Sequence, residues 1–308
     1  MIFVHDVGIH STWPKEQQPD LVMELKSLTG KVYRRADHFI QLAILGAHKA
    51  VGKRALPEKT AVYMTSGQGN ISVFDRICRQ RRRQNLLPRP VDFINLLSNS
   101  AGFYVASHLG LEGKNLFVTH HRFPVQMALL AAQNDLYLGK QEMVLLGGVD
   151  EWLADRERAE KLLGLAPDTP LGEASNWLLL GRDAAKSIAG IEVLPQSLDQ
   201  ADLNRFLADT EKGAFLAFSR RIPAGDISRL LQRHHHCRRF AYENSCAYYE
   251  TQPLFVINSF LKRQCGELIH IDGSGGNYWV IRLAKALHCS SPVVISSTSV
   301  TSQPCGCL

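Results

Sequence analysis

Three clusters carry the residue types that catalysis, metal binding or nucleic-acid binding would need. His120, His121 and Arg122 are consecutive, and Pro124 follows at a position suited to a helix start. Histidine titrates near neutral pH, so His120 and His121 are candidate acid–base groups, although no nucleophile stands beside them in sequence. His234, His235 and His236 are also consecutive. Adjacent side chains on a helix or strand diverge and do not converge on one ion without a loop, so a solvated run is expected rather than a metal site. Arg76, Arg79, Arg81, Arg82, Arg83 and Arg89 concentrate positive charge. Aromatics do not interleave with these arginines and no nucleic-acid-binding motif follows, which leaves a solvated helix face or a surface for an acidic protein.

Seven cysteines complete the inventory: Cys78, Cys237, Cys246, Cys265, Cys289, Cys305 and Cys307. The number is odd, the spacing is irregular and no pair reads as a zinc site, so reduced thiols in a cytoplasmic protein are expected. Cys305-Gly306-Cys307-Leu308 lacks the aliphatic pair of a prenylation box, and a frayed terminus is expected there.

The elements that must position these residues alternate between strand and helix. Residues 1–9 read as an opening strand, and residues 36–52 as a helix with Phe39, Leu42, Ala43, Ala47 and Val51 on one face. AVYMTSGQGN is a strand ending in a Gly-rich turn, followed by a helix that carries the arginines and stops at LLPRP. Residues 93–109 read as one largely apolar, buried helix, and LFVTH as a strand. A helix over 124–138 stops at Gly139, and MVLLGGV and NWLLLGR are continuous apolar runs, as in strands covered on both faces. Residues 152–172 read as a surface excursion. The second half repeats the pattern: strand IEVL, a helix over 200–210, strand GAFLAF, a helix DISRLLQRH capped by Asp226, a helix over 247–261, and two strands around the glycine turn of ELIHIDGSGGNYWVIRLAKAL. The alternation predicts an α/β protein with mainly parallel strands, built as a duplicated unit.

Length and composition agree. At roughly 150 residues per domain, 308 residues make two domains or one large one. With 45% hydrophobic and 21% charged residues, the chain is neither a rod nor a disordered tail. No apolar run approaches the roughly 18 residues of a membrane span, and the N-terminus has no secretion signal. The net charge of +6 favours acidic partners.

Taken in order, YRRADHFIQLAILGA, SGQGN, FINLLSNSAGFYVASHLGLEGKN, LFVTHHRFPVQMALLAAQNDLYLGKQEMVLLGGVDEW, LGEASNWLLLGRDA, FSRRIPAGDISRLL and GSGGNYWVIRL resemble the segments of a β-ketoacyl synthase of the thiolase superfamily. The resemblance spans nearly the whole chain and implies a thiolase-like fold. That fold has two similar halves, 1–185 and 186–308, in one compact α/β/α/β/α arrangement. It also exposes what is missing. The family's nucleophilic cysteine aligns with Arg122, and an arginine stays protonated and cannot attack a thioester. Its first histidine aligns with Phe218, its second falls near Tyr248, Tyr249 and Glu250, and Ser274 replaces the phenylalanine of the glycine loop. The resemblance therefore implies no catalytic residue, with Arg122, Phe218 and Tyr249 as degenerate positions.

That profile resembles the chain length factor of type II polyketide synthases, and the short form is most similar to the partner subunits of aryl-polyene systems. The resemblance implies a heterodimer with an active ketosynthase, contact with a growing acyl or polyene chain on acyl carrier protein, and no cofactor or metal. It assigns Gln68, Asp92, Phe93, Leu96 and Leu97 to the elongation tunnel, Phe93, Leu96 and Leu97 being equally readable as ordinary core. It assigns Asn115, Leu116, Phe117, Val118 and Thr119 to the dimer axis, and Arg79, Arg81, Arg82 and Arg83 to carrier-protein contact. For Arg122, a structural role is favoured over a substrate contact. The rival reading is an independent acyl-thioester enzyme on the same fold, using Cys246 or His120 and His121.

Overall fold

The computed structural model describes residues 1–12, 20–152, 157, 161, 163, 165 and 169–285. Cys289, Cys305 and Cys307 lie outside the described residues, as does most of the excursion expected over 152–172. The strands are β1 (Ile2–Ser11), β2 (Ala61–Thr65), β3 (Asn115–Val118), β4 (Met143–Asp150), β5 (Ala174–Gly181), β6 (Ala189–Val193), β7 (Phe215–Phe218), β8 (Arg238–Arg239), β9 (Gly266–Ser274) and β10 (Asn277–Lys285). They form one sheet in the order β3-β2-β4-β5-β1-β6-β10-β9-β7-β8.

That order is the same five-strand pattern written twice, back to back. In each half an outer pair of parallel ladders (β3-β2-β4; β8-β7-β9) passes into antiparallel ladders towards the middle (β4-β5-β1; β9-β10-β6). The halves meet where Ile2–Val4 of β1 runs antiparallel to Ala189–Ile191 of β6. The sheet is thus mixed rather than mainly parallel. β9 reverses directly into β10, and antiparallel strands need no helical crossover.

Helices fill three layers. α2 (His38–Val51) and α5 (Ser100–Leu109) cover the outer face of the first half, with α1 (Leu21–Thr29) packed on α2. α6 (Pro124–Tyr137) and α9 (Gln252–Arg263) lie between the halves and touch strands of both. α7 (Gln200–Ala208) and α8 (Ala224–Arg233) cover the second half through Leu203, Leu207, Ile227 and Leu230. The layers follow from the apolar faces. The five positions expected on one face of α2 are all buried, and the Phe39, Leu42 and Val51 side chains contribute about 1.5–3 kcal/mol each. The central layer is apolar nearly all round, as between two sheets it must be: Leu254, Val256, Ile257 and Phe260 of α9 are all 0% exposed.

The halves differ in one connection. β7 reaches β8 through α8 alone, whereas β2 reaches β3 through α3 (Ile71–Arg83), α4 (Pro90–Leu96) and α5. The single helix expected over 93–109 is therefore two. Leu97 is extended, with ψ 125°, and helical bonding fails there because other groups take the carbonyls. Ile94 O accepts from Ser100 Oγ, and Asn95 O accepts from Asn70 Nδ2 at 2.9 Å. Nor is the stretch uniformly buried: α4 buries only Asp92 and Asn95. Two smaller corrections concern helix starts. Pro223 occupies the cap position of α8, so Asp226 sits in the first turn and pairs with Arg229. α9 starts at Gln252, because Tyr248 N is donated to Pro170 O and Thr251 N to Asp150 Oδ2.

Candidate functional site

Gln68 in the turn after β2, Asp150 at the end of β4, Arg221 after β7, Glu250 just before α9 and Asp272 of β9 interact with one another. Tyr249 adjoins Glu250 in sequence, Phe218 ends β7, and Arg122 meets the glycine loop after β9. Arg122 is exposed at the start of α6, and its guanidinium lies on the glycine loop. A Cβ at Gly275, which has φ +60°, would stand 2.9 Å from its Nη1. His120 serves the same turn: its Nδ1 accepts from the backbone N–H groups of Arg122 (3.2 Å) and Phe123 (3.0 Å). Burial and the neighbouring charges of His121 and Arg122 lower its pKa. It holds orphan donors at a helix start, which is structural work.

Phe218 ends β7 inside the outer core of the second half and presents no proton. Tyr249 is buried, and its hydroxyl accepts from Asn176 Nδ2 at 3.1 Å. Burial pushes its pKa well above the usual range, and does the same at Tyr248. The interior is occupied instead by charges that the sequence did not single out. Arg221, only 13% exposed, donates to Asp272 Oδ2 at 2.8 Å. Gln126 Nε2 donates to the same oxygen at 3.0 Å. The Arg221 guanidinium also stacks 5.5 Å from the Phe123 ring centre.

The first half answers with Asp150, at the end of β4, the counterpart of β9. Its carboxylate accepts from Ser66 Oγ (2.9 Å), Gly67 N (2.8 Å) and Thr251 N (2.7 Å). All three donors are neutral, and burial raises its pKa despite them. Between the two aspartates stands Glu250, whose Oε2 accepts from Gln68 Nε2 at 2.7 Å. Burial and the Asp150 charge push its carboxyl up to about 7, against the pull of Gln68 and Arg221. Such polar residues in apolar strands, as in GGVDEW and IHIDGS, were the available signal. They indicate burial with partners but do not name them.

Among the described residues, Cys246 is the cysteine nearest in sequence to this centre. Cys246 is 0% exposed, it accepts from Gln252 Nε2 at 3.2 Å, and burial pushes its thiol up to about 11. The thiolate is the nucleophile, so the geometry opposes Cys246 as a catalytic residue. Among the described residues, no group of three or more His, Cys, Asp or Glu side chains is placed to hold a metal ion. The His234–His236 run is not wholly solvated: His234 is buried and its Nε2 meets Asn204 Oδ1 at 3.2 Å.

The remaining expected residues form a surface. β3 ends the sheet order, so one of its edges carries no strand among the described residues. Leu116, Phe117 and Val118 are half-buried and Asn115 and Thr119 exposed. Beside it, Phe93 (56%), Ile94, Leu97 (61%) and Phe103 (65%) are exposed, with Leu86 and Leu87 further along. Phe93 and Leu97 are thus not core, and Leu96 is only half-buried. Asp92 does not face outward. It is buried and clasps α3 to α4 through Arg76 (2.7 Å) and Arg89 (3.3 Å). Burial would raise its pKa, but the two guanidiniums outweigh that and hold it below the usual range. Arg79 pairs with Asp75, whereas Arg81, Arg82 and Arg83 are exposed.

No protein-family model matches the sequence, and neither does any curated protein. Solved structures do match. The chain is similar to the ishigamide ketosynthase/chain length factor, with TM-score 0.64 and 15% identity over 92% of this chain and 99% of that one. It is similar to a chain of the ketosynthase ApeO in complex with its chain length factor ApeC from Xenorhabdus doucetiae, with TM-score 0.54 and 12% identity over 91% and 98%. It is also similar to a ketosynthase from module 1 of the bacillaene synthase of Bacillus amyloliquefaciens FZB42, with TM-score 0.61 and 13% identity over 96% and 74%. The fold is that of the ketosynthases, the thiolase-like α/β architecture that the order of motifs implies.

Proposed function

We propose that this chain is a non-catalytic ketosynthase-like subunit, a chain length factor. It pairs with an active β-ketoacyl-ACP synthase and shapes the tunnel in which an acyl or polyene chain grows. The pathway class is polyketide or aryl-polyene biosynthesis, in the cytoplasm. One observation carries the reading. Where acyl-enzyme chemistry needs a thiolate and imidazoles, the centre holds Arg122, Phe218, Tyr249 and a buried Arg221–Asp272 pair. A guanidinium is neither nucleophile nor base, and the site's proton-carrying groups are committed to holding loops.

Two further observations support it. The edge of β3 beside the apolar face of α4 and α5 suits strand-to-strand pairing with a ketosynthase. Phe93, Leu96 and Leu97 then belong to the shared tunnel and its rim, and Gln68 lies behind them at the Gly-rich turn. The arginines of α3 suit an acidic acyl carrier protein, and one similar structure, AntDE:AntF, is of a type II acyl-carrier protein in complex with its ketosynthase. No helix among the described residues is long and apolar enough to cross a membrane.

The test is product formation by the reconstituted pair, using the ketosynthase encoded nearest to this chain and acyl and malonyl carrier-protein substrates. Elongation is expected only when both chains are present. Replacing the ketosynthase's cysteine should abolish it, while Arg122→Ala should preserve turnover. Acyl-thioester turnover by this chain alone, lost on His121→Ala, would establish the rival enzyme instead.

A further inference from the structure

The stretch Ser66–Gly69 of the turn is held by two carboxylates in different ways. Its backbone is fixed by Asp150, which takes Gly67 N and Ser66 Oγ, while Ser66 Oγ takes Gly69 N at 2.8 Å. Its one long side chain, Gln68, is fixed by Glu250 alone among the hydrogen bonds described, at 2.7 Å. The approach is close by construction. A Cβ on Gly67 would stand 1.8 Å from Glu250 Oε2, so only glycine lets the turn lie on that carboxylate. The Gln68 amide therefore points inward, onto the former catalytic centre, rather than out towards a partner.

We propose that Glu250 is the positioning residue for Gln68: it latches the amide inward, and release of the latch frees Gln68 to enter the shared tunnel. This rests on the chain-length-factor reading for what Gln68 does, but not for the latch itself. The chemistry of the latch follows from its surroundings. Glu250 faces Asp150 from β4, Asp272 from β9, Arg221 from the loop after β7 and the ring of Tyr248 on its own segment. Asp272 and Glu250 share one buried guanidinium, while Asp150 meets neutral donors. Asp150 has three donors and Asp272 has Arg221 and Gln126, whereas Gln68 is the donor to Glu250, which keeps its proton to higher pH than a free carboxyl. Its carboxyl holds that proton to about pH 7. Ionised, it accepts a charge-assisted bond from the Gln68 amide and the latch is tight; protonated, it makes the weaker neutral bond.

The experiment follows the side-chain amide of Gln68 by NMR in the full chain labelled with ¹⁵N-glutamine, assigned by its loss in Gln68→Ala. Between pH 5.5 and 8.5 the Gln68 amide is expected to titrate with a midpoint near 7, and its hydrogen exchange to slow at least several-fold beyond the intrinsic trend at high pH. Glu250→Gln, which keeps an acceptor but cannot ionise, should abolish the titration with the fold intact. A Gln68 amide that does not titrate, or titrates unchanged in Glu250→Gln, would overturn the latch. In the reconstituted complex, product length should respond to pH in the wild-type pair and lose that response in Glu250→Gln. Titration without complex formation would leave the latch standing and sink the chain-length-factor reading. Complex formation without titration would do the reverse.

Discussion

The two halves of the sheet end differently. At one end β8 is two residues long, both of them arginine, with Arg239 paired to Glu243 and Arg238 stacked 5.8 Å over the Phe215 ring. Short, charged edges are how a sheet avoids unwanted pairing. At the other end β3 is twice as long, reads Asn-Leu-Phe-Val, and continues into the exposed face of Phe93, Leu97 and Phe103. A duplicated unit has thus closed one edge and left the other open and apolar. The same three-helix connection that makes this face also carries the arginines.

The interiors differ in the same sense. Asp150 in the first half is held by neutral donors from a turn, and Asp272 in the second by a guanidinium. The largest expected effect comes from breaking the second. Asp272→Asn strands Arg221 in a place only 13% exposed and should cost about 3 kcal/mol in urea unfolding. Asp150→Asn should cost about 1 kcal/mol, since it removes hydrogen bonds but leaves no charge behind. The double variant Arg221→Met/Asp272→Leu should recover most of the loss. Equal costs for the two aspartates would remove the distinction.

The edges come next. Leu97→Glu with Phe103→Glu should weaken binding to the ketosynthase by roughly 100-fold in a titration, because hot spots of an interface are buried apolar anchors. Arg238→Glu with Arg239→Glu, at the closed edge, should change it by less than about threefold. The reverse ranking would place the interface on the wrong half.

A smaller effect separates acid from alkaline stability. Burial raises the carboxyls of Glu250 and Glu151 from 4.5 to about 7. The unfolded chain gives up those protons first, so stability falls as pH rises from about 4.5 to 7 and then levels. Burial lowers His10, His108 and His270 from 6.5 to about 4, so their contribution is lost as pH falls across that range. Glu250→Gln should therefore gain on the order of 2 kcal/mol relative to wild type between pH 5 and pH 7.5. Parallel pH profiles for the two proteins would contradict the burial assigned to Glu250. The smallest effect is at the arginines: Arg81→Glu with Arg82→Glu should raise the KM for acyl carrier protein about five- to tenfold and leave kcat unchanged, most visibly at low salt.

Most elements were legible because their apolar spacing is local: the faces of α2, the blanket of β4 and β5, and the stops at Gly139 and in LLPRP. The antiparallel centre was not, because Ile2 of β1 finds Ile191 of β6, more than half the chain away. The break at Leu97 depends on Asn70 taking the carbonyl of Asn95, 25 residues later, that the helix needed. Apolar type alone could not tell Phe93 and Leu97 from core, since an interface and an interior select the same residues. That Arg122, Phe218 and Tyr249 stand where the resemblance would put a Cys-His-His set was legible position by position. The Arg221–Asp272–Glu250 group that stands in its place was not, because its members come from three separate segments.

The central claim is that the open edge of the first half belongs to a ketosynthase. The direct measurement is co-expression with the ketosynthase encoded nearest to this chain, a tag on this chain only, and the mass of the eluted species by light scattering. The account predicts a one-to-one complex whose ketosynthase is unstable or inactive alone. A stable homodimer or monomer that ignores the ketosynthase would contradict it.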